Sequence, residues 1–137
     1  MGLPKAPPRL SLVRKLVLAG EIVAAYLRAR ALLSRRDVVE ALAELRRPAG
    51  RPVEVPDDFE VARLARAVVR TLRVLPTDSR CLMRSLVLTS LLARRGLATN
   101  VVIGVSFDDG FAAHAWVEEQ GQPLLPPGVS YSRLVEL

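Results

Sequence analysis

At Gly96 the hydrophobic period of this chain changes from that of a helix to that of a strand, and the change narrows the folds open to it. Before it, Leu82, Met83, Leu86, Val87, Leu91 and Leu92 recur at the spacing of one helical face until Gly96 stops the run. After it, Val101, Ile103 and Val105 alternate with smaller neighbours, Asp108-Asp109-Gly110 makes a turn, and the segment from Phe111 to Glu118 alternates again. The two runs read as a hairpin. Gln120-Gly121 is a second turn, leading to Pro123-Leu124-Leu125, and the tail from Tyr131 to Leu137 carries no period that types it. The switch is a change of layer inside one α+β domain, a helical half followed by a small antiparallel sheet.

The 137 residues, half of them hydrophobic, have the size of one domain. Residues 1–8 read as a short disordered arm, 9–75 as the helical part and 76–137 as a helix plus antiparallel sheet. The arm is no signal peptide, because prolines crowd it and the basic, apolar, small-residue order is missing. From Leu10 to Leu33 the chain is strongly apolar, but Arg14, Lys15, Glu21, Arg28 and Arg30 leave no run near the roughly 20 residues of a membrane span. Leu12, Val13, Leu16, Val17, Val23, Tyr26 and Leu27 predict a broad buried face instead. Ser34 with Asp37 reads as a cap and acidic first turn for a shorter helix through Val38, Leu42 and Leu45. Pro48 to Pro56 is a connector. Asp57 and Asp58 then open a helix through Val61, Leu64, Ala65, Val68, Leu72 and Leu75, which Pro76 stops.

The net charge of +6 arises from 20 basic and 14 acidic residues. It permits an acidic partner, yet the arginines are dispersed among Ala, Leu and Val along helices. They read as solvated faces rather than a nucleic-acid surface.

The chemistry-bearing residues are few. Cys81 and His114 are the only cysteine and the only histidine, which excludes an intramolecular disulfide and the usual zinc sites of three or four Cys and His ligands. No cofactor is signalled, and a lone thiol fits a reducing cytoplasm. Cys81 falls in the first turn of its helix, where free N–H groups and the helix dipole stabilise an anion. A thiol of ordinary pKa about 8.5 can be drawn down there, further beside an imidazolium. His114, Trp116 and Glu118 share one face of their strand, and Ala113, Ala115 and Val117 the other. A strand packed across the start of the Cys81 helix would bring thiol and imidazole together. The plainer alternatives are a small buried hydrophobe at Cys81, a hydrogen-bonded structural histidine, and a Trp116 that packs in the core rather than lining a substrate groove.

Cys81-Leu-Met-Arg-Ser-Leu-Val-Leu88, Leu91-Leu-Ala-Arg-Arg-Gly96, the strand with Ile103-Gly-Val105, and Phe111-Ala-Ala-His-Ala-Trp-Val-Glu118 followed by Gly121 resemble the leader peptidases of lasso peptide biosynthesis. These belong to the transglutaminase-like cysteine peptidase superfamily. The resemblance is close from Asp78 to about Leu125 and loose over the helical half. It implies a nucleophile-bearing helix packed on an antiparallel sheet, a transglutaminase/papain-like core, with Cys81 and His114 catalytic and the leader removed from a ribosomally made precursor. It also implies an acid on the strand after the histidine strand. By spacing that position falls at or beside Pro126, and no Asp or Glu occurs between Glu119 and Glu136. Glu118 is four residues from His114, about 13 Å along a strand, too far to orient the imidazole directly. A carbonyl, a water, or Asp108 or Asp109 remain open as orienters; neither Ser79 nor Arg80 is singled out as an oxyanion donor.

By the same resemblance the partners are the precursor peptide, a separate leader-recognition protein in place of the fused domain of longer relatives, and the lasso cyclase. Two other functions stay open at this stage. One is acyl or amide transfer through the same thioester; the other is a non-catalytic basic helical module.

Overall fold

In a computed structural model the chain is described over residues 11–47, 50, 54–76, 80–107, 110–124 and 132–137. Among these residues the order is α1 (Leu12–Leu33), α2 (Val38–Leu45), α3 (Asp58–Leu72), α4 (Arg80–Arg94), β1 (Asn100–Ser106), β2 (Ala112–Glu119), β3 (Gln122–Pro123) and β4 (Ser132–Glu136). The strands form one antiparallel sheet in the order β3-β2-β1-β4. This is the α+β architecture that the change of period at Gly96 predicts.

Helix α4 is the centre of it. The sequence assigns it one apolar face, but Met83, Leu86, Val87, Leu88, Leu91 and Leu92 are all buried, and so are Ser85, Thr89 and Ser90. A helix buried nearly all round is a core helix. Helices α1, α2 and α3 pack on it from the helical half, and β2 and β1 from the sheet. Its small hydroxyl residues let neighbours come close without an unpaired polar cost at Ser85, whose Oγ donates to the Cys81 carbonyl at 2.8 Å. The common core joins Ile22, Tyr26 and Ala29 of α1, Leu42 and Leu45 of α2, the apolar stripe of α3, and Val101 and Val117 of the sheet.

Helix starts follow side-chain chemistry. Asp37 and Asp57 cap α2 and α3, accepting the backbone N–H of Glu40 and of Glu60, each at 2.8 Å. Ser34 is not the cap expected for the shorter helix. It closes α1, its Oγ donating to Ala31 O at 2.7 Å, because the ionised Asp37 three residues later is the better acceptor for free N–H groups. Helix α3 buries Val61, Leu64, Ala65, Val68 and Leu72 as its spacing predicts, and ends at Leu72 rather than running to Pro76.

The α1 face is a correction. Leu12, Val13, Leu16, Val17 and Leu27 are exposed, and burial falls instead on Ile22, Ala25, Tyr26 and Ala29. At 22 residues α1 is about 33 Å long against about 22 Å for the 15-residue α3 and α4. Its first turns therefore carry an apolar stripe past the helices that cover the rest. No described helix is long and apolar enough to cross a membrane.

In the sheet, Glu119 pairs with Gln122 across the Gln120-Gly121 turn, as the two-residue turn predicts, with Gln120 at φ 49° and Gly121 at φ 80°. The untyped tail supplies β4, which pairs antiparallel with β1. Ser-Arg-Leu-Val-Glu shows no alternation, and the register against β1 shifts between Ile103 and Gly104. An irregular edge strand leaves no period-two signal to read. Arg46 ties this end down, donating to the carbonyls of Thr99 and Leu137.

Candidate active site

Cys81 is the second residue of α4, partly exposed and not in a disulfide. The approach to it is held from two sides. The buried hydroxyl of Tyr26 donates to Pro76 O and accepts from Arg30 Nη1 at 2.9 Å, and Arg80 Nη1 donates to Arg73 O at 3.0 Å at the end of α3. The first turn of α4 contains no acidic residue. Its leading N–H groups have no intrahelical acceptor, so the positive end of the helix faces the thiol with no carboxylate of its own turn to neutralise it.

His114 lies on β2 opposite Gly104 of β1. Burial lowers its pKa from the ordinary value, and the Arg84 guanidinium lowers it further. Arg84 is three residues past Cys81, on the same side of α4, and helical side chains lean toward the N-terminus. Arg84 of α4 is thus the cation His114 feels, and β2, the strand that carries His114, packs against that helix. Arg84 Nε is buried and has no hydrogen-bond partner among the described residues. At neutral pH His114 is held as the uncharged base.

Trp116 and Glu118 extend from His114 along the same face. The indole and imidazole planes are inclined by 22° with centroids 6.1 Å apart. Trp116 Nε1 donates to Glu118 Oε1 at 2.8 Å, and Arg133 of β4 donates to both carboxylate oxygens, Nη1 to Oε1 at 3.1 Å and Nη2 to Oε2 at 3.0 Å. Glu118 is 4% exposed, Trp116 6%. Gly104 stands opposite both His114 and Arg133.

Sequence reasoning thus places Cys81 on the first turn, His114 on the packed strand, and Glu118 on the histidine's face but beyond its reach. It gives Arg84, four residues beyond Arg80 on the helix, only a structural or solvated role, and it misses Arg133. For Arg84 the available signal was its spacing of three from Cys81; for Arg133 there was none. Ser79, Asp108, Asp109 and Pro126 lie outside the described residues, so the position where an acid is expected after the histidine strand is not characterised. Among the described residues no three His, Cys, Asp or Glu side chains gather to hold a metal ion. A groove of about 420 Å³ between α3 and the β2–β3 turn, lined by Asp58, Val61, Glu119 and Gln122 among others, contains neither Cys81 nor His114.

Chemically, a thiol in the first turn of a helix, with the strand that carries the histidine packed against that helix, suits attack on an acyl carbon. Comparison with curated proteins and with solved structures returned no match. The family profile described as transglutaminase-like superfamily matches residues 23–135, a stretch holding the second half of α1, the whole of α2, α3 and α4, and Cys81, His114 and Glu118. A cysteine on a helix packed against a histidine-bearing antiparallel sheet, within a match over most of its length, makes this chain a member of the transglutaminase-like superfamily, whose chemistry is of the cysteine-peptidase and acyltransferase type.

Proposed function

We propose that this protein is a cysteine peptidase that removes the leader from a ribosomally made lasso peptide precursor. The observation that carries the cysteine chemistry is Cys81 in the first turn of α4 with His114 on the strand packed against that helix. The substrate rests on the likeness of Cys81–Leu88 and Phe111–Glu118 to lasso leader peptidases.

His114, uncharged at neutral pH, takes the Cys81 proton as Sγ attacks the scissile carbonyl carbon. The C–S bond forms and the C–N bond breaks, and the imidazolium returns its proton to the departing amine. The leader is now a thioester on Cys81 and the core peptide is free. Water, deprotonated by His114, attacks the thioester carbon; the C–S bond breaks, the imidazolium returns its proton to the departing thiolate, and the leader leaves as a carboxylic acid that loses its proton to solvent. The oxyanion of each tetrahedral intermediate accepts from N–H groups at the start of α4. Because burial and the Arg84 cation both disfavour the imidazolium, His114 acts here as a base on the thiol.

A separate leader-recognition protein presents the precursor, and the lasso cyclase consumes the released core. The lone thiol suits a reducing compartment such as the cytoplasm. Superfamily membership keeps one alternative in view, capture of the same thioester by an amine instead of water.

Mass spectrometry of a precursor peptide incubated with the protein and the leader-recognition partner tests this proposal. The expected products are leader acid and free core, absent with Cys81→Ala and His114→Ala. An intact precursor with the wild type, or cleavage that persists in Cys81→Ala, overturns it; an amide-linked leader in place of the acid identifies the transferase.

A further inference from the structure

The four residues from His114 to Glu118 that prevent the carboxylate from touching the imidazole are bridged by the side chain between them. Glu118 is a buried carboxylate, and such a group is costly unless it is paired and hydrogen-bonded. Both of its oxygens are engaged, by the fork of Arg133 and by the Trp116 N–H. The bidentate pairing fixes the carboxylate in plane, and the carboxylate fixes the rotation of the indole through its single donor. The indole lies alongside His114, with the two planes inclined by 22°. An offset aromatic pair of this kind is favourable beyond its burial.

We infer that Arg133 and Glu118 position His114 through Trp116, so that a locked indole sets the imidazole's orientation, the task the adjacent-strand acid performs in a triad. The inference rests on the peptidase proposal only in assigning His114 its proton-transfer role; the positioning itself is a property of the resting protein. Glu118 and Trp116 are positioning residues, since neither touches the reacting atoms. Misplacing a reacting group by about 1 Å can cost about 10²-fold, and that is the loss expected when the indole is removed.

The single histidine and single cysteine give two direct readouts on the full-length chain: the NMR signals of the His114 ring, and the rate at which iodoacetamide alkylates Cys81 at neutral pH. Trp116→Leu should abolish the ring-current displacement of the His114 resonances and slow alkylation toward the His114→Ala level. Trp116→Phe keeps an aromatic face but lacks the N–H, so it should retain part of the displacement and fall between wild type and Trp116→Leu in rate. Glu118→Gln keeps an acceptor for the indole and should stay nearer wild type than Trp116→Leu, provided its circular dichroism matches the wild type. If Glu118→Gln does not fold, the two Trp116 variants decide the matter. Unchanged His114 resonances and alkylation in Trp116→Leu would overturn the positioning role. Equal alkylation of wild type and His114→Ala would instead overturn the Cys81–His114 pairing, whatever the indole does.

Discussion

His114 is set by two opposed demands. It must be close enough to the thiol to exchange a proton, and it sits where burial and the Arg84 cation both disfavour its charged form. Arg84→Gln removes the cation, so the His114 titration followed by NMR should move up toward the ordinary value of about 6.5, and the acidic limb of Cys81 alkylation should move with it. The linkage has a definite sign. With the folded-state pKa depressed, the unfolded chain binds more protons between that pKa and about 6.5, so this contribution to stability is complete above the window and is lost as pH falls through it. Arg84→Gln should flatten that loss; an unmoved His114 titration would contradict the placement of Arg84. Cys81 and His114 were legible in the sequence because each is the only residue of its type. Arg84 and Arg133 were not, being two among many arginines whose long side chains act several residues from their Cα.

Among the elements, α4 carries the most. Its first turn holds Cys81, the proposed nucleophile, and its body is the core, so on this account chemistry and stability share one helix. Leu86 and Leu92 are fully buried, and truncating either to Ala should cost about 2–5 kcal/mol in denaturant unfolding. Truncating Leu16 of α1, which is 64% exposed, should change stability by no more than about 0.5 kcal/mol. Comparable losses at Leu16 and Leu92 would contradict the burial described here. The contrast marks the limit of periodicity. The stripe on α1 is a regular helical one, and pattern alone cannot tell a stripe that meets a partner element from one that overhangs it. In α3 the spacing and the burial coincide because α4 lies along it. Strand β4 was illegible for another reason, since a bulged edge strand with a charged residue at each end of Arg-Leu-Val-Glu has no alternation to detect.

At the level of the whole molecule, the helical half supplies the helix whose first turn bears Cys81, and the sheet packed against it bears His114. That division follows from the change of period at Gly96 and was visible from residue order alone. The Glu118–Arg133 pair beside Trp116 was not, because Arg133 comes from a strand the sequence does not announce. The exposed apolar start of α1 is a property of the surface.

The central claim is that an acyl group passes through Cys81, and intact-protein mass spectrometry of an acid-quenched reaction with the precursor peptide tests it most directly. The acyl fragment is the N-terminal side of the cut bond. The wild type should therefore carry the mass of the leader, less water, on the fragment containing Cys81, and release it with hydroxylamine. Cys81→Ala should carry nothing and leave the precursor whole. Leader released at the wild-type rate by Cys81→Ala, with no adduct on either protein, would contradict the account.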